Sequence, residues 1–266
     1  MSVLIVIPAR YASTRYPGKP LVALRGADGN AKTLIRRSWD AAMEVSGVDR
    51  VVVATDDDRI RDAAETFGAE VVMTPEACRN GTERCAAAID AMGEDFEIVV
   101  NLQGDVPLTP AWFISDLVAG LRARPDVDVA TPVLRTEGRA LRGFLEDRRA
   151  GRVGGTTAVF GERRNALYFS KEVIPYTGKT YADDAETPVF DHVGVYAYRP
   201  DAPRAYGTWP IGPLETLEGL EQLRFLEQAR PVLCVEVDAK GRQFWELNNP
   251  EDVPRIEAML KEMGAD

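Results

Sequence analysis

Short apolar runs alternate with helical periodicity along the first hundred residues. Val3 to Ile7 predicts a strand and Thr33 to Val45 a helix; a turn at Gly47 then leads to a strand at Arg50 to Ala54. Asp57 to Thr66 predicts a helix, N-capped by Asp56 or Asp57 and closed by Gly68. Glu70 to Met73 is the next strand, Gly81 to Met92 the next helix, and Glu97 to Leu102 another apolar strand. This β-α-β-α order implies an α/β fold: a mostly parallel central sheet with helices on both faces. Such sheets bind ligands at the carboxyl ends of their strands.

The second half reads differently. Asp128 to Val133, Thr156 to Phe160, Val193 to Tyr198 and Val232 to Val237 predict strands. Arg135 to Arg152, rich in charge and glycine, suggests an exposed excursion. Leu214 to Arg230 predicts one long amphipathic helix with Leu217, Leu220, Leu223 and Leu226 as its core stripe, and Pro250 to Met263 a terminal helix. The expectation is a single domain over 1–266 with a smaller β lobe inserted at about 134–212. A hydrophobic share of 45% and a charged share of 28% fit a globular chain with a sizeable core. The formal net charge of −10 argues against double-stranded nucleic acid as a partner, because no basic field exists to displace its counterions. A few cations focused in one cleft could still hold an anion. Cys78, Cys85 and Cys234 show no metal spacing, although Cys78 and Cys85 could share a helical face; reduced thiols are expected. The run at Val3 to Ile7 is too short for a membrane span, so no membrane partner is expected and the cytoplasm is the expected compartment.

Candidate chemistry concentrates in three segments. Pro8 to Pro20 follows the first strand and carries Arg10, Arg15 and Lys19 with a turn at Pro17-Gly18, a loop able to wrap a triphosphate. It has the spacing of neither a Walker A loop nor a dinucleotide fingerprint, and a solvated basic loop is the plain alternative. Arg79 to Arg84 opens a helix, where Gly81 permits close backbone approach and Thr82 could cap the helix or meet a base. Val99 to Pro107 takes an apolar strand into a polar turn with one carboxylate, Asp105, suited to Mg²⁺.

With these motifs in view, the chain resembles the CMP-Kdo synthetases (3-deoxy-manno-octulosonate cytidylyltransferases), of the Rossmann-like nucleotide-diphospho-sugar transferase fold. The resemblance rests on Ile7 to Leu21, Val53 to Asp56, Gly81 to Arg84, Asn101 to Asp105, Ala166 to Ser170 and Ile174 to Tyr176. It continues through His192 to Arg199, Pro213 to Glu215 and Leu220 to Arg224. It implies that Arg10, Arg15 and Lys19 hold the CTP phosphates, with Ala9, Gly81, Thr82, Arg84 and Gln103 near the nucleoside. Asp105 and the residue at Asn248 would be the Mg²⁺ ligands, and His192, Tyr196, Glu215 and Gln222 would line a sugar-acid pocket. The implied reaction is attack of the sugar's anomeric hydroxyl on the α-phosphorus of CTP, releasing pyrophosphate. The family also implies a cytoplasmic homodimer acting in lipopolysaccharide biosynthesis, with CTP and an acidic sugar as its partners.

Several positions depart from the family pattern. Val106 stands where a Glu is usual, and Asp191 where an Arg precedes the histidine. Thr156-Thr157-Ala158 replaces a Val-Lys-Val run. Asn248 takes the place of an aspartate metal ligand, bringing an amide oxygen without charge, and Glu246 is a possible substitute. These changes gather around metal and sugar, so nucleotide transfer is better supported than Kdo itself. A different acidic acceptor, or a binding protein without catalysis, are the alternatives. His192 is the only histidine and carries no proton-transfer assignment.

Overall fold

The computed structural model describes residues 2–12, 16–105, 107–153, 155–242, 247 and 249–265. In chain order the elements begin with β1 (Val3–Ala9), β2 (Ala23–Arg25), β3 (Ala31–Thr33), α1 (Leu34–Met43), β4 (Arg50–Thr55), α2 (Asp58–Glu65) and β5 (Glu70–Met73). Next come α3 (Gly81–Met92), β6 (Ile98–Leu102), α4 (Ala111–Arg122), β7 (Val129–Glu137), α5 (Gly138–Arg149), β8 (Thr157–Phe160) and β9 (Ala166–Ser170). The chain ends with β10 (Glu186–His192), β11 (Val195–Tyr198), α6 (Asp201–Thr208), α7 (Pro213–Glu218), α8 (Leu223–Glu227), β12 (Val232–Glu236) and α9 (Val253–Glu262).

Two compact units divide these elements. The first comprises 1–115, 198–207 and 239–266, and the second 116–197 and 208–238. The lobe expected at about 134–212 therefore shares most of its length with the second unit, while 198–207 within it belongs to the first.

The first unit is a parallel sheet in the order β5-β4-β1-β6. Its register sets Ala9 beside Thr55, and Val6 beside Asn101, so the carboxyl ends of β1, β4 and β6 finish together. β1 is apolar on both faces because both are covered. Leu4 and Val6 pack with Cys85, Ala88 and Ile89 of α3 on one side, and α1 covers the other. Side-chain caps fix the helix starts: Asp57 accepts from the Arg59 amide at 2.9 Å, and Asn80 from the Glu83 amide at 3.0 Å. A satellite core under the β2–β3 hairpin joins Leu24, Leu34, Leu247, Ile256 and Leu260.

The second unit has a mixed sheet in the order β11-β7-β10-β8-β9, with β12 parallel to β7. Here the sequence reading needs correction. The expected helix over Leu214 to Arg230 is broken into α7 and α8, because Gly219 enters the left-handed region at φ 62° and returns its N–H to the Glu215 carbonyl at 2.7 Å. The expected leucine stripe consequently does not form: Leu217 is 82% exposed while Leu223 is fully buried. The charged stretch Arg135 to Arg152 is the end of β7 and the helix α5, not an excursion. Strands β9 and β10 and helices α4 and α6 lie where no element was expected. Cys78 precedes α3, so it shares no helical face with buried Cys85. Burial pushes the Cys234 thiol up to about 12, which keeps it protonated.

Candidate active site

The carboxyl edge of the first unit's sheet gathers most of the predicted nucleotide residues. Ala9 is buried where β1 ends, and the exposed Arg10 follows, donating from Nη1 to the Arg79 carbonyl at 3.3 Å. The loop beyond closes on itself through Gly18 N–H to the Tyr11 carbonyl, 2.9 Å. Gly18 sits at φ 72°, a backbone conformation that favours glycine, and a Cβ there would press on the Tyr11 ring at 3.1 Å. The guanidinium of Arg59 lies 3.3 Å from the centroid of the Tyr11 ring, and Asp57 holds Arg59 through Nε and Nη2 at 2.9 and 2.6 Å. The sequence reading missed this Tyr11–Arg59–Asp57 stack. Its only signal was Tyr11 inside the cationic loop, since α2 is remote in sequence.

Lys19 follows Gly18 and reaches across to β6. Its Nζ donates to Asp105 Oδ2 at 2.7 Å, with both side chains largely buried. The other carboxylate oxygen of Asp105, Oδ1, is buried without a hydrogen-bond partner among the described residues, and the Asp105 carbonyl accepts from the Leu247 amide at 3.1 Å. Gln103, half-buried, precedes this turn, and the Gly104 carbonyl accepts from Ser38 Oγ at 3.3 Å. Arg15, Asn248 and Glu246 lie outside the described residues.

The start of α3 borders the same edge. A Cβ on Gly81 would fall 2.8 Å from Asn101 Nδ2, so only glycine lets the helix approach β6 this closely. Thr82 and Arg84 turn inward. The Thr82 hydroxyl pairs with Tyr198 at 2.8 Å; Arg84, 3% exposed, donates to Thr74 at 2.6 Å and faces Asp56 at 3.2 Å. Their side chains anchor the helix, leaving its backbone N–H groups and dipole to meet an anion.

A second predicted set assembles within the second unit. His192 ends β10, with its ring 5.0 Å from Phe169 and 5.7 Å from Tyr196. Thr131 Oγ donates to the Val195 carbonyl at 2.8 Å and so accepts from His192 Nε2, also 2.8 Å away. Desolvation pulls the His192 pKa down to about 3, which leaves the ring neutral at physiological pH. The Tyr196 hydroxyl donates to Gln222 Oε1 at 3.0 Å, and Gln222 Nε2 is a buried donor without a partner among the described residues. Glu215, the fourth of this set, pairs with Arg224. It is buried in this two-point contact, Nε to Oε2 at 2.6 Å and Nη2 to Oε1 at 2.7 Å.

Among the described residues no group of three or more His, Cys, Asp or Glu could hold a metal ion. The donor set at this edge instead centres on Asp105, which has a buried oxygen without a hydrogen-bond partner among the described residues and lies beside Lys19. That fits Mg²⁺, which takes one or two carboxylates and completes its shell with water and substrate phosphate.

A parallel sheet with cations, the Lys19–Asp105 pair and a helix N-terminus at its carboxyl edge defines a nucleotide-binding α/β protein. The chain belongs to the cytidylyltransferase family, whose profile matches residues 4–232. A 3-deoxy-manno-octulosonate cytidylyltransferase of Maricaulis maris is 44% identical over 264 residues, covering 99% of each chain. An 8-amino-3,8-dideoxy-manno-octulosonate cytidylyltransferase of Shewanella amazonensis is 38% identical, covering 98% of this chain and 99% of that one. A solved CMP:2-keto-3-deoxy-manno-octonic acid synthetase complexed with CTP matches with a TM-score of 0.82 and 31% identity, over 99% of this chain and 100% of that one.

Proposed function

We propose that this enzyme transfers CMP from CTP to 3-deoxy-manno-octulosonate (Kdo) and releases pyrophosphate. The Lys19–Asp105 pair at the carboxyl edge of the parallel sheet carries the reading, because it sets a phosphate cation beside a metal-binding carboxylate. Arg10 and Lys19 hold the triphosphate, and the N-terminus of α3 adds its dipole. Asp105, with an oxygen from Asn248, would hold Mg²⁺, which neutralises charge building on the phosphates as pyrophosphate departs. His192, Tyr196 and Gln222 form the acceptor set. Gln222 Nε2, without a partner among the described residues, supplies a donor for a sugar hydroxyl or carboxylate, and neutral His192 orients rather than titrates. The protein works as a homodimer in the cytoplasm, in the assembly of lipopolysaccharide; no helix among the described residues is long and apolar enough to cross a membrane.

The test is pyrophosphate release from CTP with Kdo, with and without Mg²⁺, and with UTP, ATP and GTP in place of CTP. Turnover restricted to CTP, Kdo and Mg²⁺ supports the reading. Pyrophosphate release without a sugar acid, or equal use of ATP or GTP, overturns it. A parallel arm with 8-amino-3,8-dideoxy-manno-octulosonate belongs in the assay, because Asp191 places a carboxylate immediately before His192 in β10. Preference for the amino sugar would keep the reaction and change the acceptor.

A further inference from the structure

We propose that Lys19 is a built-in counter-ion that occupies Asp105 until a triphosphate draws it away, so that nucleotide and divalent cation bind with positive coupling. The inference rests on the reading above for the identity of the nucleotide. Three observations carry it. Lys19 Nζ lies 2.7 Å from Asp105 Oδ2, a full charge-assisted hydrogen bond. The two side chains are only 14% and 23% exposed, so solvent screens the pair weakly. Asp105 Oδ1 is buried and has no hydrogen-bond partner among the described residues, so this carboxylate has capacity for a second positive group.

A dication on Asp105 and an ammonium on its second oxygen would repel each other across a few ångströms of poorly screened space. The backbone at both ends is fixed. Lys19 opens a short 3-10 turn after Gly18 with the buried Pro20 behind it, and the Asp105 carbonyl is tied to the Leu247 amide. The four-carbon lysine stem can swing and re-aim its charge without moving the sheet. Phosphate oxygens offer Lys19 an alternative anion, and once it has moved the whole Asp105 carboxylate is open. By thermodynamic reciprocity the cation then strengthens nucleotide binding as much as the nucleotide strengthens cation binding. Without nucleotide, Lys19 shields the folded protein from holding metal unproductively.

The experiment titrates Mn²⁺, as an electron-spin probe of the divalent site, into the full chain without nucleotide. Parent, Lys19→Met, Asp105→Asn and the double variant are compared, each first checked by thermal unfolding. Lys19→Met should bind Mn²⁺ more tightly than the parent, by about tenfold, and the gain should vanish in the double variant. Should Lys19→Met fail to fold, Lys19→Gln removes the same charge with a polar end group. As a second readout, CTP affinity in EDTA should rise in Asp105→Asn, which releases Lys19, and this rise should be absent in the Lys19→Met background. Metal-only affinity unchanged or lowered in Lys19→Met, or a gain that survives in the double variant, overturns the proposal. A parent that binds Mn²⁺ as described yet releases no pyrophosphate from CTP with either sugar acid would instead overturn the functional reading.

Discussion

Removing the carboxylate of Glu215 should destabilise the protein heavily without a direct catalytic effect. Arg224 is fully buried, and Glu215 engages it through two parallel hydrogen bonds of 2.6 and 2.7 Å. Glu215→Leu removes the carboxylate that faces this buried guanidinium, and guanidinium cannot shed its charge at any accessible pH. Breaking a buried pair from one side costs about 3–5 kcal/mol. For a chain of this size each kcal/mol moves the melting temperature by roughly 2–4 °C, so a fall of about 10 °C is expected. Replacing both partners by apolar groups of similar volume, Glu215→Leu with Arg224→Met, should recover most of that loss, because the ion pair is then removed as a whole. Thermal unfolding followed by circular dichroism gives the two singles and the double. A single Glu215→Leu within about 1 kcal/mol of the parent, or a double no better than the worse single, would refute the counter-ion reasoning. A stable Glu215→Gln that lost only affinity for the sugar acid would return Glu215 to the acceptor pocket.

Three other outcomes follow from the same geometry. Gly81→Ala should cost about 1–3 kcal/mol in chemical denaturation, because its Cβ would press on the buried Asn101 amide and loosen the α3 N-terminus; a melting curve like the parent's would show that the helix can retreat freely. Arg59→Ala should raise the Michaelis constant for CTP by about two- to fivefold with little change in melting temperature, since it removes the cation stacked on Tyr11 while touching no core; an unchanged constant would separate the stack from the nucleotide loop. For His192, the folded pKa lies below the unfolded value of about 6.5, so the unfolded chain takes up its proton first. That contribution to stability is complete above pH 6.5 and is lost as pH falls towards 3, by roughly 1–2 kcal/mol at pH 5 once the ring's partial exposure is allowed for. His192→Gln should flatten the slope of stability against pH in that interval, and a parent-like slope in the variant would assign it to other groups.

Legibility of the sequence followed from how local the signals were. The strand at Glu70–Met73 and the helix at Gly81–Met92 have the bounds expected of them, because apolar runs, side-chain caps and closing glycines all act within a few residues. Asp57, one of two expected caps, is the one used. The second unit gave weaker signals. Its β10 reads Glu-Thr-Pro-Val-Phe-Asp-His, with too little alternation to announce a strand. Gly219 could have been tolerated inside a helix, and only the folded backbone shows it ending one. In the site, the sequence marked Lys19 and Asp105 through their place after two apolar strands. It could not show that Thr82 and Arg84 point inward, since Tyr198, Asp56 and Thr74 meet them only after the chain has folded.

The hydroxyl of Tyr198 on Thr82, that of Tyr206 on Asn80, and the Leu247 amide on the Asp105 carbonyl all bring late segments to an early site. On the ribosome the four parallel strands emerge within the first 102 residues, yet the start of α3 waits for residues translated about a hundred positions later. Contacts of such long sequence separation are slow to close, and the apolar sheet edge stays exposed to solvent and to other nascent chains meanwhile. A chain cut short after β6 would therefore carry every strand of its nucleotide-binding sheet and still lack the staples that set the site, which makes premature termination a route to aggregation rather than to a working half-enzyme.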